Sequence, residues 1–127
     1  MMKRTKPPGA YVGSESKLQA SAIRLVRSLL PGALVIHVPN GRNAGSASMG
    51  GFWKGQGVVS GVPDILAFRP APDHTGLAIE LKVWPGKPSI EQLAVHDKLR
   101  EAGWHVEVCY SINEVELAVK TTYQYET

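Results

Sequence analysis

A chain of 127 residues, 43% hydrophobic and 20% charged, is long enough to bury one core and fits one domain better than two; it has the make-up of neither a fibre nor a wholly disordered protein. Its one cysteine, Cys109, excludes an intramolecular disulfide and a cysteine-built zinc cage and points to a reducing compartment, expected to be cytoplasmic. Lys and Arg outnumber Asp and Glu by 14 to 11, which permits a polyanionic partner without demanding one, and no apolar run approaches the roughly 20 residues of a membrane span.

Residues 1–13 carry Lys3, Arg4 and Lys6 ahead of Pro7, Pro8 and Gly9 and read as a flexible basic arm, with no apolar stretch of a secretory leader behind it. Ser14 is a helix N-cap with Glu15 in the first turn, and Leu18, Ala22, Leu25, Val26, Leu29 and Leu30 form one apolar stripe that Pro31-Gly32 ends. Leu34 to Val38 is a short β-rich run. From Asn40 to Gly61 the chain is dense in glycine and includes Arg42, Phe52, Trp53 and Lys54. Basic and aromatic side chains on such a loop suit a nucleic-acid backbone and bases; equally, Phe52 and Trp53 can pack into the core.

Asp64 to Arg69 and Leu77 to Trp84 read as two strands of an antiparallel hairpin around a Pro72-Asp73 turn. Pro85-Gly86 ends the second. Ser89 opens a helix to about Ala102, stopped by Gly103. His105 to Tyr110 is a strand, and Ser111 to about Lys120 is a final helix with Ser111 and Glu114 in a capping-box pattern. The predicted order is helix, three strands, helix, strand, helix: an α/β domain over 14–120, with 121–127 as a C-terminal tail.

Alternation along the second hairpin strand puts Glu80 and Lys82 on one face, about 7 Å apart. A sheet covered by helices on both faces is expected, and there a carboxylate and an ammonium are costly unless paired or bound. With the turn centred near Asp73, Asp64 lies opposite Lys82 and diagonal to Glu80, within about 7 Å. Two such acids can close on one hard cation such as Mg²⁺, which lowers the pKa of a bound water. Lys82 can orient that water or steady charge growing on the phosphate. The competing reading is an edge-strand Glu80–Lys82 pair with Asp64 as a turn residue after Pro63.

Pro63-Asp64 followed by Glu80-Leu81-Lys82 resembles the signature of the PD-(D/E)XK nuclease superfamily. More narrowly, Gly61-Val62-Pro63-Asp64-Ile65-Leu66, Ile79-Glu80-Leu81-Lys82, and Ser89-Ile90-Glu91-Gln92 leading to Leu99 and Gly103-Trp104-His105-Val106 resemble a stand-alone VRR-NUC (virus-type replication-repair nuclease) domain of bacterial or phage type. The resemblance spans roughly residues 14–120. It implies a restriction-endonuclease-like core with a mixed central sheet flanked by helices. It also implies Mg²⁺ or Mn²⁺ held by Asp64, Glu80 and the Leu81 carbonyl, with Lys82 as the catalytic lysine.

Gln92 matches the glutamine on the following helix. Its spacing also makes a capping box with Ser89, while Gln92, Val95, Leu99 and Ala102 share one helical face that can point inward. Glu15 matches the acid of the first helix; helix-dipole complementation is its alternative. Arg42, Lys54 and Lys87 are the candidate DNA contacts.

The implied activity is metal-dependent hydrolysis of DNA phosphodiesters, selective for branched or junction structures. In so small a domain that predicts a homodimer setting two sites on one substrate, in a bacterial or phage-infected cell. Rival readings are a non-catalytic nucleic-acid-binding module on the same fold and a hydrolase of small phosphates. The glycine spacing fits no nucleotide-binding loop, and His37, His74, His96 and His105 have no mutual i, i+4 spacing for zinc. Cys109 reads as a buried structural thiol.

Overall fold

The computed structural model describes residues 3–11, 13–39, 55–57 and 59–124. Arg42, Phe52, Trp53 and Lys54 lie outside the described residues. Within them the chain forms α1 (Glu15–Leu29), β1 (Val35–His37), β2 (Ile65–Ala67), β3 (Leu77–Leu81), α2 (Ile90–Glu101), β4 (His105–Cys109) and α3 (Ile112–Tyr123). None of these helices is long and apolar enough to cross a membrane.

Each of these three helices starts on a serine that accepts a backbone N–H three residues on, which satisfies one of the amides that a first turn leaves without a partner. Ser14 accepts from Lys17 at 3.3 Å and Ser111 from Glu114 at 3.0 Å. The Glu114 carboxylate does not complete the expected box. It reaches one residue further back, to the Tyr110 N–H at 2.7 Å. α3 runs to Tyr123, beyond the Lys120 end read from sequence, because Tyr123 belongs to the core and its hydroxyl donates to the Arg69 carbonyl at 2.8 Å.

The four strands lie in the order β1-β2-β3-β4. β1 pairs antiparallel with β2, β2 antiparallel with β3, and β3 parallel with β4, so the sheet is mixed as expected. All five β3 residues are buried, as befits a strand covered on both faces. Leu77, Ile79 and Leu81 face the core, which is filled by Leu18, Ala22 and Val26 of α1 and Val115, Ala118 and Val119 of α3. Ala78 and Glu80 therefore face the other way, towards α2.

The hairpin register differs from the expectation by two residues. Ile65 faces Ile79 and Ala67 faces Leu77, so one further step sets Asp64 across from Glu80 rather than Lys82. The corner is the Pro72-Asp73 pair, closed by Ala71 and His74 exchanging backbone bonds of 2.8 and 3.4 Å. Four residues separate this pair from β2 and three separate it from β3, and the unequal arms shift the ladder. A slip of one residue would have turned Asp64 to the opposite face; a slip of two preserves it.

Two further contacts frame the end of the sheet that carries these acids. Gly61 has φ +89°, and a Cβ there would stand 2.9 Å from the Glu91 carbonyl oxygen, so the chain entering β2 lies directly against the start of α2. Ser60 adds a hydroxyl bond to the Glu91 carboxylate at 2.8 Å. On the other flank, the Arg4 guanidinium lies 4.6 Å over the Trp84 ring and donates to the Pro85 carbonyl at 2.7 Å. The basic N-terminal segment thus touches the turn that follows Lys82.

Candidate active site

The sheet brings two acids into contact at the end of β2 and β3. Asp64 and Glu80 are each 1% exposed and hydrogen-bond one another. Two ionised carboxylates at that range, out of water, repel strongly. Burial first, then the Asp64 charge and the bond to Asp64, push the Glu80 carboxyl up to about 9; the Lys82 ammonium pulls in the opposite direction and Glu15 adds a small further push. As it stands, Glu80 holds a proton at neutral pH.

Every oxygen of the pair is also met by a donor or ring nitrogen from the surrounding elements. The Asp64 Oδ2 accepts the Leu81 backbone N–H at 2.7 Å, and Oδ1 accepts from Gln19 Nε2 of α1 at 3.3 Å. Glu80 Oε2 accepts from Gln92 Nε2 at 3.2 Å, and Oε1 lies 3.4 Å from His96 Nε2. The Asp64 carbonyl is 3.1 Å from His37 Nδ1 of β1. A carboxylate offers about four lone-pair positions, so these contacts orient the acids without exhausting them.

The expected residues divide as follows. Asp64, Glu80 and Gln92 meet directly. Gln92 takes both roles between which its sequence position left a choice: its Oε1 accepts the Ser89 N–H at 2.8 Å, its own N–H bonds Ser89 Oγ at 3.1 Å, and its Nε2 holds Glu80. Leu81 contributes its N–H to Asp64, leaving its carbonyl in the same neighbourhood. Lys82, half-buried, follows directly on the β3 chain and acts on Glu80 through its charge. Glu15 is exposed at the start of α1 and reaches Glu80 by charge alone. Lys87 is exposed on the turn before α2.

Two residues of this cluster carry no sequence expectation of their own. Gln19 lies one helical turn after Glu15, and His96 one turn after Gln92; that i, i+4 spacing was the available signal. On α2 the inward face is set by Gln92, Val95, His96 and Leu99, whereas Ala102 is an exposed C-cap. His96 is 1% exposed, and burial, Arg100 and Lys82 hold its imidazole below the usual histidine range. Cys109 is buried in the core, its thiol pushed well up by burial, in keeping with a structural role.

The donor set suits one kind of metal better than another. Among the described residues no three His, Cys, Asp or Glu side chains converge to hold a metal ion by themselves, which sets aside a zinc cage. Two carboxylates and a nearby backbone carbonyl are what Mg²⁺ uses when it keeps waters and substrate phosphates as its remaining ligands. A divalent cation would also offset the burial and the repulsion that now make Glu80 retain a proton.

The comparisons with known proteins agree with this architecture. A structure described as a VRR_NUC domain protein superposes with a TM-score of 0.71 at 18% identity, over 90% of this chain and 91% of its own. A second, described as a VRR_NUC domain, gives a TM-score of 0.57 at 24% identity, over 86% of this chain and 97% of its own. At such identities the likeness establishes the fold. No curated protein matches the sequence. The sequence model of the VRR-NUC domain matches residues 46–113, a stretch that contains Asp64, Glu80, Lys82, Gln92 and His96 and spans over half of the chain. The chain therefore belongs to the VRR-NUC domain family and is of nuclease type.

Proposed function

We propose that this protein is a Mg²⁺- or Mn²⁺-dependent DNA endonuclease of the PD-(D/E)XK type. The observation that carries the reading is the buried Asp64–Glu80 pair, in which Glu80 is raised to about 9 by burial and by its neighbour's charge. Natural cores avoid such a pair unless something compensates it. Asp64, Glu80 and the Leu81 carbonyl would hold the ion, which when bound polarises a phosphoryl oxygen and acidifies a water.

The remaining work belongs to the chain. Lys82 extends the strand beyond Glu80 and brings a positive charge to the place where negative charge grows in phosphodiester hydrolysis. Gln19 and Gln92 hold the two acids with neutral amides, which steady a carboxylate without competing for it as a cation would. Glu15 adds negative potential at the rim. Lys87, with Arg42 and Lys54, would meet the DNA backbone. Branched or junction DNA, cut by a homodimer with two sites, is the substrate and assembly that fit so small a domain.

The test is cleavage of plasmid and of synthetic junctions with Mg²⁺, Mn²⁺ or EDTA. The expected result is metal-dependent cutting that Asp64→Ala and Lys82→Ala reduce by about 100-fold or more. DNA binding with no metal-dependent nicking would instead establish a binding module. Only monomer by gel filtration with light scattering at micromolar concentration would overturn the dimer.

A further inference from the structure

The start of α2 holds Glu80 from two sides. Gln92 meets Oε2 at 3.2 Å, and His96, one turn further along the same helix, lies 3.4 Å from Oε1. The two side chains stand on one face four residues apart and so grip one carboxylate as a pair. Gln92 is itself fixed by the capping box with Ser89. His96 is fixed differently: it is 1% exposed and wedged between helix and sheet.

The other ring nitrogen adds an independent observation. His96 Nδ1 is buried and meets no hydrogen-bond partner among the described residues. A buried imidazole with a contact on one nitrogen only is an expensive residue to keep for packing, since leucine would fill similar space with no orphaned polar atom. Retaining it makes sense if the single contact has a use. Once a cation takes the place of the proton on Glu80, that carboxylate is acceptor-only, so in the metal-bound state the nitrogen facing it must carry the hydrogen. This assigns the Nε2–H tautomer and leaves Nδ1 as a bare lone pair rather than a stranded donor.

We propose that His96 is a positioning residue: an Nε2–H donor that, with Gln92, fixes the plane of the Glu80 carboxylate and so holds it ready to ligate the cation. This rests on the metal-dependent reading above and extends it to a residue outside the acid–acid–lysine set. Outer partners of this kind commonly change metal affinity by about 10–100-fold when lost.

Calorimetric titration of the DNA-free protein with Mn²⁺ tests it directly. Three variants are needed, each checked for its fold by circular dichroism. His96→Leu removes the donor while keeping the volume. His96→Gln places an amide N–H near the Nε2 position, and His96→Asn, one methylene shorter, places it short of Glu80. The expected result is Mn²⁺ binding weakened about 10–100-fold in His96→Leu and His96→Asn, with His96→Gln within about threefold of the unaltered protein. If His96→Leu does not fold, the Gln and Asn pair decides.

Equal affinity in the Gln and Asn variants, or undiminished affinity in a folded His96→Leu, would overturn the role of His96 and leave the metal-dependent reading intact. Absence of Mn²⁺ binding by the unaltered protein would instead overturn that reading, and this one with it.

Discussion

Replacing Glu80 by glutamine should make the metal-free protein more stable at neutral and alkaline pH, although it removes a proposed metal ligand. Folded Glu80 keeps its proton until about pH 9, whereas in the unfolded chain it loses it near 4.5. A carboxyl raised in this way contributes stability that is complete below pH 4.5 and is lost as pH climbs through 9. At about 1.4 kcal/mol per pH unit, the loss by pH 7 is about 3 kcal/mol, or roughly 10 °C in melting temperature for a domain this size. Glu80→Gln removes the titrating carboxyl and with it this pH dependence. The assay is urea unfolding in EDTA from pH 5 to 8. The unaltered protein should lose stability with rising pH relative to Glu80→Gln, and Mn²⁺ should reverse the difference. Parallel curves in EDTA would refute the reasoning.

Three other outcomes are expected. Gln19→Ala removes the amide on Asp64 Oδ1 and should weaken Mn²⁺ binding about tenfold with little change in DNA affinity, read by calorimetry and fluorescence anisotropy. DNA binding should weaken steeply with salt, and Lys87→Ala should lower the logarithmic salt slope by about one; a flat response would remove Lys87, Arg42 and Lys54 as phosphate contacts. Gly61→Ala places a Cβ at 2.9 Å from the Glu91 carbonyl on a backbone with φ +89°, and should cost about 1–3 kcal/mol in thermal unfolding.

Much of this site can be read from the sequence because its chemistry interrupts a hydrophobic pattern. Asp64 after Pro63, and Glu80 and Lys82 within an apolar strand, stand out as polar groups that need a reason. Gln19 and His96 do not, since helical faces are assigned by their apolar residues and a buried polar residue on the inward face is invisible to that method. Ala102 shows the reverse error: its apolar character and spacing suited the inward face, but the helix ends there, and a C-cap has no neighbour to bury it. The register missed by two because it depends on the unequal arms of the Pro72-Asp73 corner, which no residue pattern announces. The shared face of the acids survived because side-chain direction depends only on whether the shift is odd or even.

The double duty of Gln92 restricts what could ever replace it. Completing the cap of α2 takes an acceptor at the tip of a side chain of this length, and steadying Glu80 takes a donor on that same tip. Glutamate would begin the helix but introduce a third anion beside two that already repel. Lysine would offer the hydrogen and abandon the cap, and asparagine carries both functions on too short a stem. A primary amide on two methylenes meets both demands at once, so the fold and the chemistry of this domain meet in one side chain.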